Sequence, residues 1–375
     1  MPPLRDIFPG VPIVESPLFP AMLDELGFNE TERRVAIDLN RNGYAIIDFP
    51  DEHIGERIER VKAYLAPRFD VDMGDPETIK NSGKVTRVQD AWVYHEDVRA
   101  IAANHAVLDL LQKLYGRRPF PFQTLNFPVG TQQHLHSDSI HFSCIPERFM
   151  CGVWLAMEDV HPEAGPLTYL PGSHRWPILS NTMIGRRGYG SDREYAQPPF
   201  EAAWKALIDA SGIEQEIFAP KKGQALIWAA NLLHGGSPQI NPKLTRWSQV
   251  THYYFEDCVY YTPAFSDEPL GDLDLRIMVD VETEELRPNL YLGERIEPEA
   301  RPSRPPSLIG RIKKRIKTPA GVPDDFDEDA YYRLNPDVAQ ARLDAVTHYL
   351  NHGQAEGRRY RLGRAKDSRT REELR

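Results

Sequence analysis

Gly130-Thr-Gln-Gln-His134-Leu-His136-Ser-Asp138 is the stretch on which the reading of this chain turns. In an extended strand, residues two apart face the same way. His136 and Asp138 can therefore reach one ion from a single strand. A third ligand has to come from a neighbouring strand, and His234, in Leu232-Leu-His234-Gly-Gly-Ser, is placed for it. It ends the apolar run from Ala225 and precedes a glycine turn, after which the chain can come back. Two imidazoles and one carboxylate can occupy one face of an octahedral Fe(II) and leave the other face open for a co-substrate and oxygen. Arg246 and Ser248 follow on the returning strand and share one face. An arginine there can grip the far carboxylate of 2-oxoglutarate with two parallel hydrogen bonds. A lone His-x-Asp or His-Gly is a weak signal. Their joint order with Arg-x-Ser is far more specific. His134 has the parity of His136 and competes with it, whereas His141 has the wrong parity unless the chain bends.

Outward from this core, residues 120–260 alternate short aromatic and β-branched runs with Gly, Pro and Asn turns. The runs include Phe122–Phe127, Cys151–Met157, Leu167–Leu170, Ala225–Ala229 and Thr245–Phe255. Many short strands with such turns predict a sandwich, barrel or jelly roll. One helix, about Phe200 to Ala210, interrupts them. Residues 30–115 read as helices around one strand. Val35, Ile37 and Leu39 lie in a helix stopped by Gly43, and Tyr44–Phe49 reads as a strand. Asp51 is expected to cap a helix carrying Ile54, Ile58, Val61 and Leu65. A further helix carries Val107, Leu108, Leu111 and Leu114 and ends at Gly116.

Length and composition set the bounds. A chain of 375 residues exceeds one average domain. With 41% apolar residues it can build a sizeable core, and a net charge of -10 argues against nucleic acid as a partner. Cys144, Cys151 and Cys258 form no framework, which suggests a reducing, cytoplasmic setting. The proline-broken N-terminus does not read as a signal peptide, and no apolar stretch is long enough to span a bilayer.

The expected organisation is a catalytic domain over 1–297, a basic Pro-rich linker over 298–322 and a small helical module with a charged tail over 323–375. From Arg301 to Lys317 the linker has seven basic residues and no acidic one. Leu308, Ile309, Ile312 and Ile316 put apolar groups on one side of a short helix there. Such a helix can lie on an anionic membrane surface or simply pack on the main domain. The loop Ser180–Pro199, with Arg186, Arg187 and Arg193, reads either as a lid over an anionic substrate or as an ordinary solvated loop.

Three segments together resemble the phytanoyl-CoA dioxygenase family: Gly130–Asp138, Gly165-Pro-Leu-Thr-Tyr-Leu-Pro-Gly-Ser-His174, and Leu233-His-Gly-Gly236. The resemblance spans about residues 35–260. It implies a double-stranded β-helix, a jelly-roll variant, flanked by helices and carrying Fe(II)/2-oxoglutarate-dependent oxygenase chemistry with O2 as co-substrate. It maps His136, Asp138 and His234 onto the iron ligands and Arg246 onto the 2-oxoglutarate arginine, assisted by Ser248. Gln123, Asn126 and Trp154 fall where the family lines the co-substrate pocket. Asp138 fills the position that halogenating relatives leave open for chloride, so the resemblance implies hydroxylation of a C–H bond, with succinate and CO2 released. The substrate is a small molecule, lipid or sugar-linked compound. Two alternatives stand beside this reading: a non-catalytic jelly-roll that binds carbohydrate, and a cupin-like metal enzyme that uses no 2-oxoglutarate. The C-terminal module resembles segments appended to bacterial glycosyltransferases. That implies contact through 301–362 with a membrane or with polysaccharide machinery.

Overall fold

The computed structural model describes residues 3–69, 87–131, 133–188, 196–297, 321–323, 326, 328–335, 337–338 and 343–360. The chain divides into two compact units, Met1–Glu299 and Ala300–Arg375. The first combines antiparallel sheets with flanking helices, and its strands and α-helices take similar shares rather than the mostly β balance expected.

Its helices begin and end as local chemistry dictates. In the helix Glu30–Asn42, Asn29 Oδ1 accepts from Glu32 N, and the Glu32 carboxylate accepts from Asn29 N. This reciprocal box satisfies two N–H groups that the first turn leaves orphaned. Gly43 ends the helix at φ 81°. A side chain there would be strained, and its Cβ would lie 2.5 Å from His174 Nδ1. The helix Ile54–Leu65 corrects one expectation. Asp51 does not cap it; His53 holds the cap position without a side-chain bond. Asp51 Oδ1 instead accepts from His53 N, and Oδ2 accepts from Arg57 Nε. The helix His105–Tyr115 starts on Asn104, whose side chain accepts from Val107 N, and stops at Gly116. The interrupting helix runs Pro198–Ser211.

Eleven strands position the site. They are β1 Tyr44–Asp48, β2 Val88–Gln89, β3 Pro119–Phe127, β4 Ser143–Ile145, β5 Met150–Ala156, β6 Leu167–Tyr169, β7 Glu216–Phe218, β8 Gln224–Ala229, β9 His234–Gly236, β10 Ser248–Phe255 and β11 Val259–Tyr261. The larger sheet has the order β1-β8-β5-β10-β3-β2 and the smaller β7-β6-β9, and every pairing is antiparallel. Alternation sorts the larger sheet's side chains onto two faces. Ala45, Ile47, Phe120, Val153, Leu155 and Ile227 face the helices, where Val35, Leu39, Ile58, Leu111 and Leu114 complete one core. Leu125, Phe127, Trp154, Leu226, Trp228 and Val250 face the other way and share a second core with Leu167, Tyr169 and Phe218 of the smaller sheet. Burial of each such side chain contributes roughly 1.5–3 kcal/mol, so the two faces together hold the larger sheet between a helical layer and a second sheet.

The second unit is small. It contains the helices Glu328–Leu334 and Ala345–His348. Tyr331, Val338, Ala345 and Tyr349 form its core, with Phe326, Tyr332 and Tyr360 against them. The buried Arg358 guanidinium donates to Asp337 at 2.6 Å. The basic segment 298–320, including the helix expected around Leu308–Ile316, lies outside the described residues, as does the tail from 361.

Candidate metal and co-substrate site

His136, Asp138 and His234 come together on the inner side of the two sheets. One ligand atom from each lies within 4.8 Å of the others, and all three residues are buried. The local route differs from the expected single strand. His136 forms an isolated bridge to His234, with N–H···O bonds of 2.9 and 3.0 Å in the two directions. Asp138 then opens a 3-10 turn, Asp138–Ile140. The two-residue spacing still delivers both side chains, but the strand ends between them. The bend also redirects His141, whose carbonyl faces the Arg276 guanidinium at 3.2 Å. His134 is exposed, and what it offers the cluster is its backbone oxygen.

Hydrogen bonds set the ring orientation. His136 Nδ1 lies 2.9 Å from His134 O, and His234 Nδ1 lies 3.0 Å from Leu232 O. A carbonyl can only accept, so each Nδ1 carries the proton and each Nε2 presents a lone pair. Those Nε2 atoms lie 3.9 and 3.7 Å from the Asp138 carboxylate, too far for a hydrogen bond. Ligands spaced around a shared cation fit that separation.

The protonation states fit as well. Burial, then the neighbouring His234, pushes His136 down to about 3. Burial alone would raise Asp138, but His234, His252, His136 and the Trp228 indole outweigh it and hold the carboxyl at about 2. A neutral His136 ring and an ionised Asp138 carboxylate are forms that bind a metal. The donor set therefore suits Fe(II).

Arg246 is 2% exposed and stands two residues before β10. Its Nη1 donates to Gly165 O at 3.1 Å, its guanidinium lies 5.5 Å from the centre of the Trp154 ring, and its Nε has no partner. Burial lowers it to about 10. No carboxylate pairs with it among the described residues. Ser248 Oγ, two residues on, is also buried without a partner. A buried cation without a counter-ion is costly, and a bound dicarboxylate would relieve that cost.

The pocket-lining expectations divide. Gln123 Oε1 lies 2.9 Å from His252 Nδ1, and the other His252 nitrogen is 3.6 Å from Asp138 Oδ2. Trp154 lies beneath Arg246. Asn126 needs correcting: it is three residues from Gln123 and points to the opposite face. There its amide donates to Gln249 Oε1, and Gln249 reaches Val98 O on the helical side. An odd offset in a strand reverses the face.

Sequence reading missed Trp228, Gly152 and His252 at the site. Trp228 Nε1 donates to Asp138 Oδ2 at 2.8 Å. Gly152 leaves room for that indole, since a Cβ there would sit 2.1 Å from Trp228 Cζ2. His252 shares the face of Arg246 and Ser248; continuing the alternation along β10 would have found it. The Pro171-Gly-Ser-His174 turn also has a structural part. Ser173 Oγ accepts from Leu233 N at 2.9 Å, bracing the approach to His234.

Of the loop 180–199, residues 189–195 lie outside the described set. Its first part is tied down. Asn181 Nδ2 donates to the carbonyls of Pro263, Ala264 and Ser266, and Arg187 pairs with Asp267.

Among known proteins, an ectoine dioxygenase of Nocardia farcinica is 25% identical over 235 residues, covering 59% of this chain and 77% of that protein. One of Halomonas elongata is 26% identical over 151 residues, covering 38% and 45%. Among solved structures, the non-heme alpha-ketoglutarate-dependent carbocyclase SnoK is 15% identical with a TM-score of 0.47, covering 65% of this chain and 90% of that one. EctD from S. alaskensis, with 2-oxoglutarate and 5-hydroxyectoine, is 19% identical with a TM-score of 0.46, covering 62% and 78%. The model of the phytanoyl-CoA dioxygenase (PhyH) family matches residues 39–247, from the first helix through the triad to the strand beside Arg246, and the chain belongs to that family.

Proposed function

We propose that this Fe(II)- and 2-oxoglutarate-dependent dioxygenase hydroxylates a C–H bond of a small polar molecule within a double-stranded β-helix. The carrying observation is the buried cluster of His136, Asp138 and His234 between the two sheets, together with the buried Arg246 just before β10, which has no ion pair among the described residues. In this reading His136 and His234 bind iron through Nε2, and Asp138 supplies the charge. Trp228 holds the carboxylate from behind. Arg246 and Ser248 take the far carboxylate of 2-oxoglutarate over Trp154. Gln123 and His252 line the next position along the face, where a substrate would approach. The bound iron, with 2-oxoglutarate and O2, supplies the oxidising chemistry, and succinate and CO2 leave. The chain's own task is to hold these groups in register and keep water from them.

The relatives named ectoine dioxygenases make ectoine the first substrate to test. Three free, buried cysteines support a cytoplasmic setting. Among the described residues no helix is long and apolar enough to cross a membrane. A carbohydrate-binding module has no use for the triad, and a metal enzyme without 2-oxoglutarate leaves Arg246 and Ser248 without a task.

The test is succinate release on adding Fe(II), 2-oxoglutarate and O2, with ectoine and then sugars, lipids, amino acids and acyl-thioesters as added substrates. Succinate should form, rise with one of these classes, and vanish in His136→Ala and His234→Ala together with most iron affinity. Succinate absent from the wild type with every addition, or undiminished in both variants, would refute the reading.

A further inference from the structure

A second buried guanidinium stands on the far side of the triad. Arg276 is 4% exposed and lies beyond residues 39–247, so the family match assigns it nothing. Its backbone N–H donates to Tyr260 O on β11, and its carbonyl accepts from Asn289 Nδ2. The residue is thus fixed from both ends. Its Nη1 faces His141 O at 3.2 Å and Thr262 Oγ1 at 3.3 Å. Its guanidinium lies 4.8 Å from the centre of the Phe142 ring and 5.9 Å from that of Phe122. Phe142 in turn lies 5.1 Å from the ring of His252, whose Nε2 is 3.6 Å from Asp138 Oδ2. One aromatic layer separates Arg276 from the cluster.

The atoms left over are informative. Nε and Nη2 of Arg276 are buried and have no partner. These two nitrogens form one edge of the guanidinium, with parallel N–H groups matched to the two oxygens of a carboxylate. The same chain uses that edge elsewhere. Arg60 holds Asp97 through Nε at 2.7 Å and Nη2 at 2.8 Å. Arg287 holds Asp280 through the same pair. Arg276 has no ion pair among the described residues. Its bonds to His141 and Thr262 account for a structural clip through Nη1, but not for a buried fork without a hydrogen-bond partner, on which Asp274 and Asp90 act only through space.

Arg246 shows the same state, with Nη1 on a backbone oxygen and Nε unpartnered. The two arginines rest on different rings: Arg246 lies over Trp154, whereas Arg276 lies over Phe142, which packs on His252.

We propose that the Nε/Nη2 edge of Arg276 receives a carboxylate of the primary substrate, walled by Phe142 and Phe122, so that the substrate class is a small carboxylic acid. This assignment rests on the dioxygenase reading above. Recognition at a charged fork discriminates far more sharply than an apolar wall does.

The test loads wild-type protein, Arg276→Gln, Arg276→Lys and Arg246→Lys with Mn(II) and 2-oxoglutarate. Calorimetry measures 2-oxoglutarate affinity. Acetate then serves as the carboxylate probe, read by the relaxation of its methyl protons by Mn(II), with inorganic phosphate followed in parallel by phosphorus relaxation. Acetate should bind near the metal in the wild type and at least about tenfold more weakly in Arg276→Gln. Arg276→Lys should restore only part of that affinity, because it keeps the charge and loses the fork. The affinity for 2-oxoglutarate should drop in Arg246→Lys and hold in both Arg276 variants. Acetate relaxation equal in the wild type and the Arg276 variants would overturn the proposal, as would loss of 2-oxoglutarate affinity in those variants. Phosphate displacing acetate as the preferred probe would overturn the carboxylate assignment. Should Arg276→Gln fail to fold, Arg276→Lys carries the comparison. Wild-type protein that binds neither Mn(II) nor 2-oxoglutarate would sink the dioxygenase reading first.

Discussion

Each histidine of the triad is oriented by a carbonyl two residues before it in the chain. His134 O serves His136, and Leu232 O serves His234. The tautomer is thus set by local backbone, before any metal arrives. Acid should work against this arrangement with a definite sign. His136 is held at about 3 and His252 at about 4, both mainly by burial, against an ordinary value of 6.5. Between those values the unfolded chain takes the extra proton and the folded one does not. Stability therefore falls as pH falls through that window, by roughly 1.4 kcal/mol per unit and group at most. Asp138, held at about 2 against 3.8, extends the loss in the same direction lower down. The urea midpoint of metal-free protein should be lower at about pH 5 than at about pH 7, and His252→Gln should flatten the difference. A midpoint that rises with acid would show that these rings are not buried neutral. At Arg246 the geometry of the charge matters more than its sign. Arg246→Lys should raise the KM for 2-oxoglutarate by about tenfold or more and leave iron affinity nearly unchanged. Initial rates against 2-oxoglutarate, with a parallel iron titration, decide this; an unaltered KM would remove the arginine from the co-substrate site.

Strand pairing, at the next scale, explains how such distant residues meet. Gly152 on β5 pairs with Trp228 on β8 and with His252 on β10. It is the one position in that row without a side chain, and the Trp228 indole fills the space on its way to Asp138. Gly152→Ala should push that indole aside. The expected cost is about 1–3 kcal/mol from overpacking, with a measurable loss of Fe(II) affinity as the Asp138 bond is disturbed. Adding Trp228→Leu should recover part of the stability and none of the iron affinity, because the room returns and the donor does not. Chemical unfolding and iron titration of the three variants would show this. An unperturbed Gly152→Ala protein would mean that the indole has slack to move without consequence. The same alternation explains the Asn126 correction. Its immediate neighbours Leu125 and Phe127 face the smaller sheet, so Asn126 itself faces the helices.

For the whole molecule, the separation into units at Glu299 gives a direct expectation. The triad, Arg246, Arg276 and both cores of the sheets all lie in the first unit. A chain ending at Glu299 should fold, bind iron and turn over 2-oxoglutarate at a rate within about threefold of the full chain, since no side chain of the site is removed. Thermal unfolding and succinate release on the two proteins would test it. Insoluble or iron-free truncated protein would mean that residues after Glu299 complete the catalytic unit.

Much of the site was legible because its chemistry depends on residue type and spacing. His136, Asp138, His234 and Arg246 announce themselves by order along the chain, and the short alternating runs announce strands. Glycine punctuation at Gly43 and Gly116 was equally readable, since left-handed backbone favours glycine over residues with a Cβ. What the sequence could not carry was the outcome of packing between distant segments. The strand was expected to continue through Asp138 and instead turns there, because His136 pairs with His234 nearly a hundred residues away. Trp228 reads as core and becomes a support for Asp138 only because Gly152 lies opposite. Arg276 reads as one basic residue among many. Its burial beside Phe142, without an ion pair among the described residues, exists only once β11 and the turn after Asp138 are brought together. Spacing within a strand is local and survives in sequence; contacts across the sheet belong to the tertiary fold.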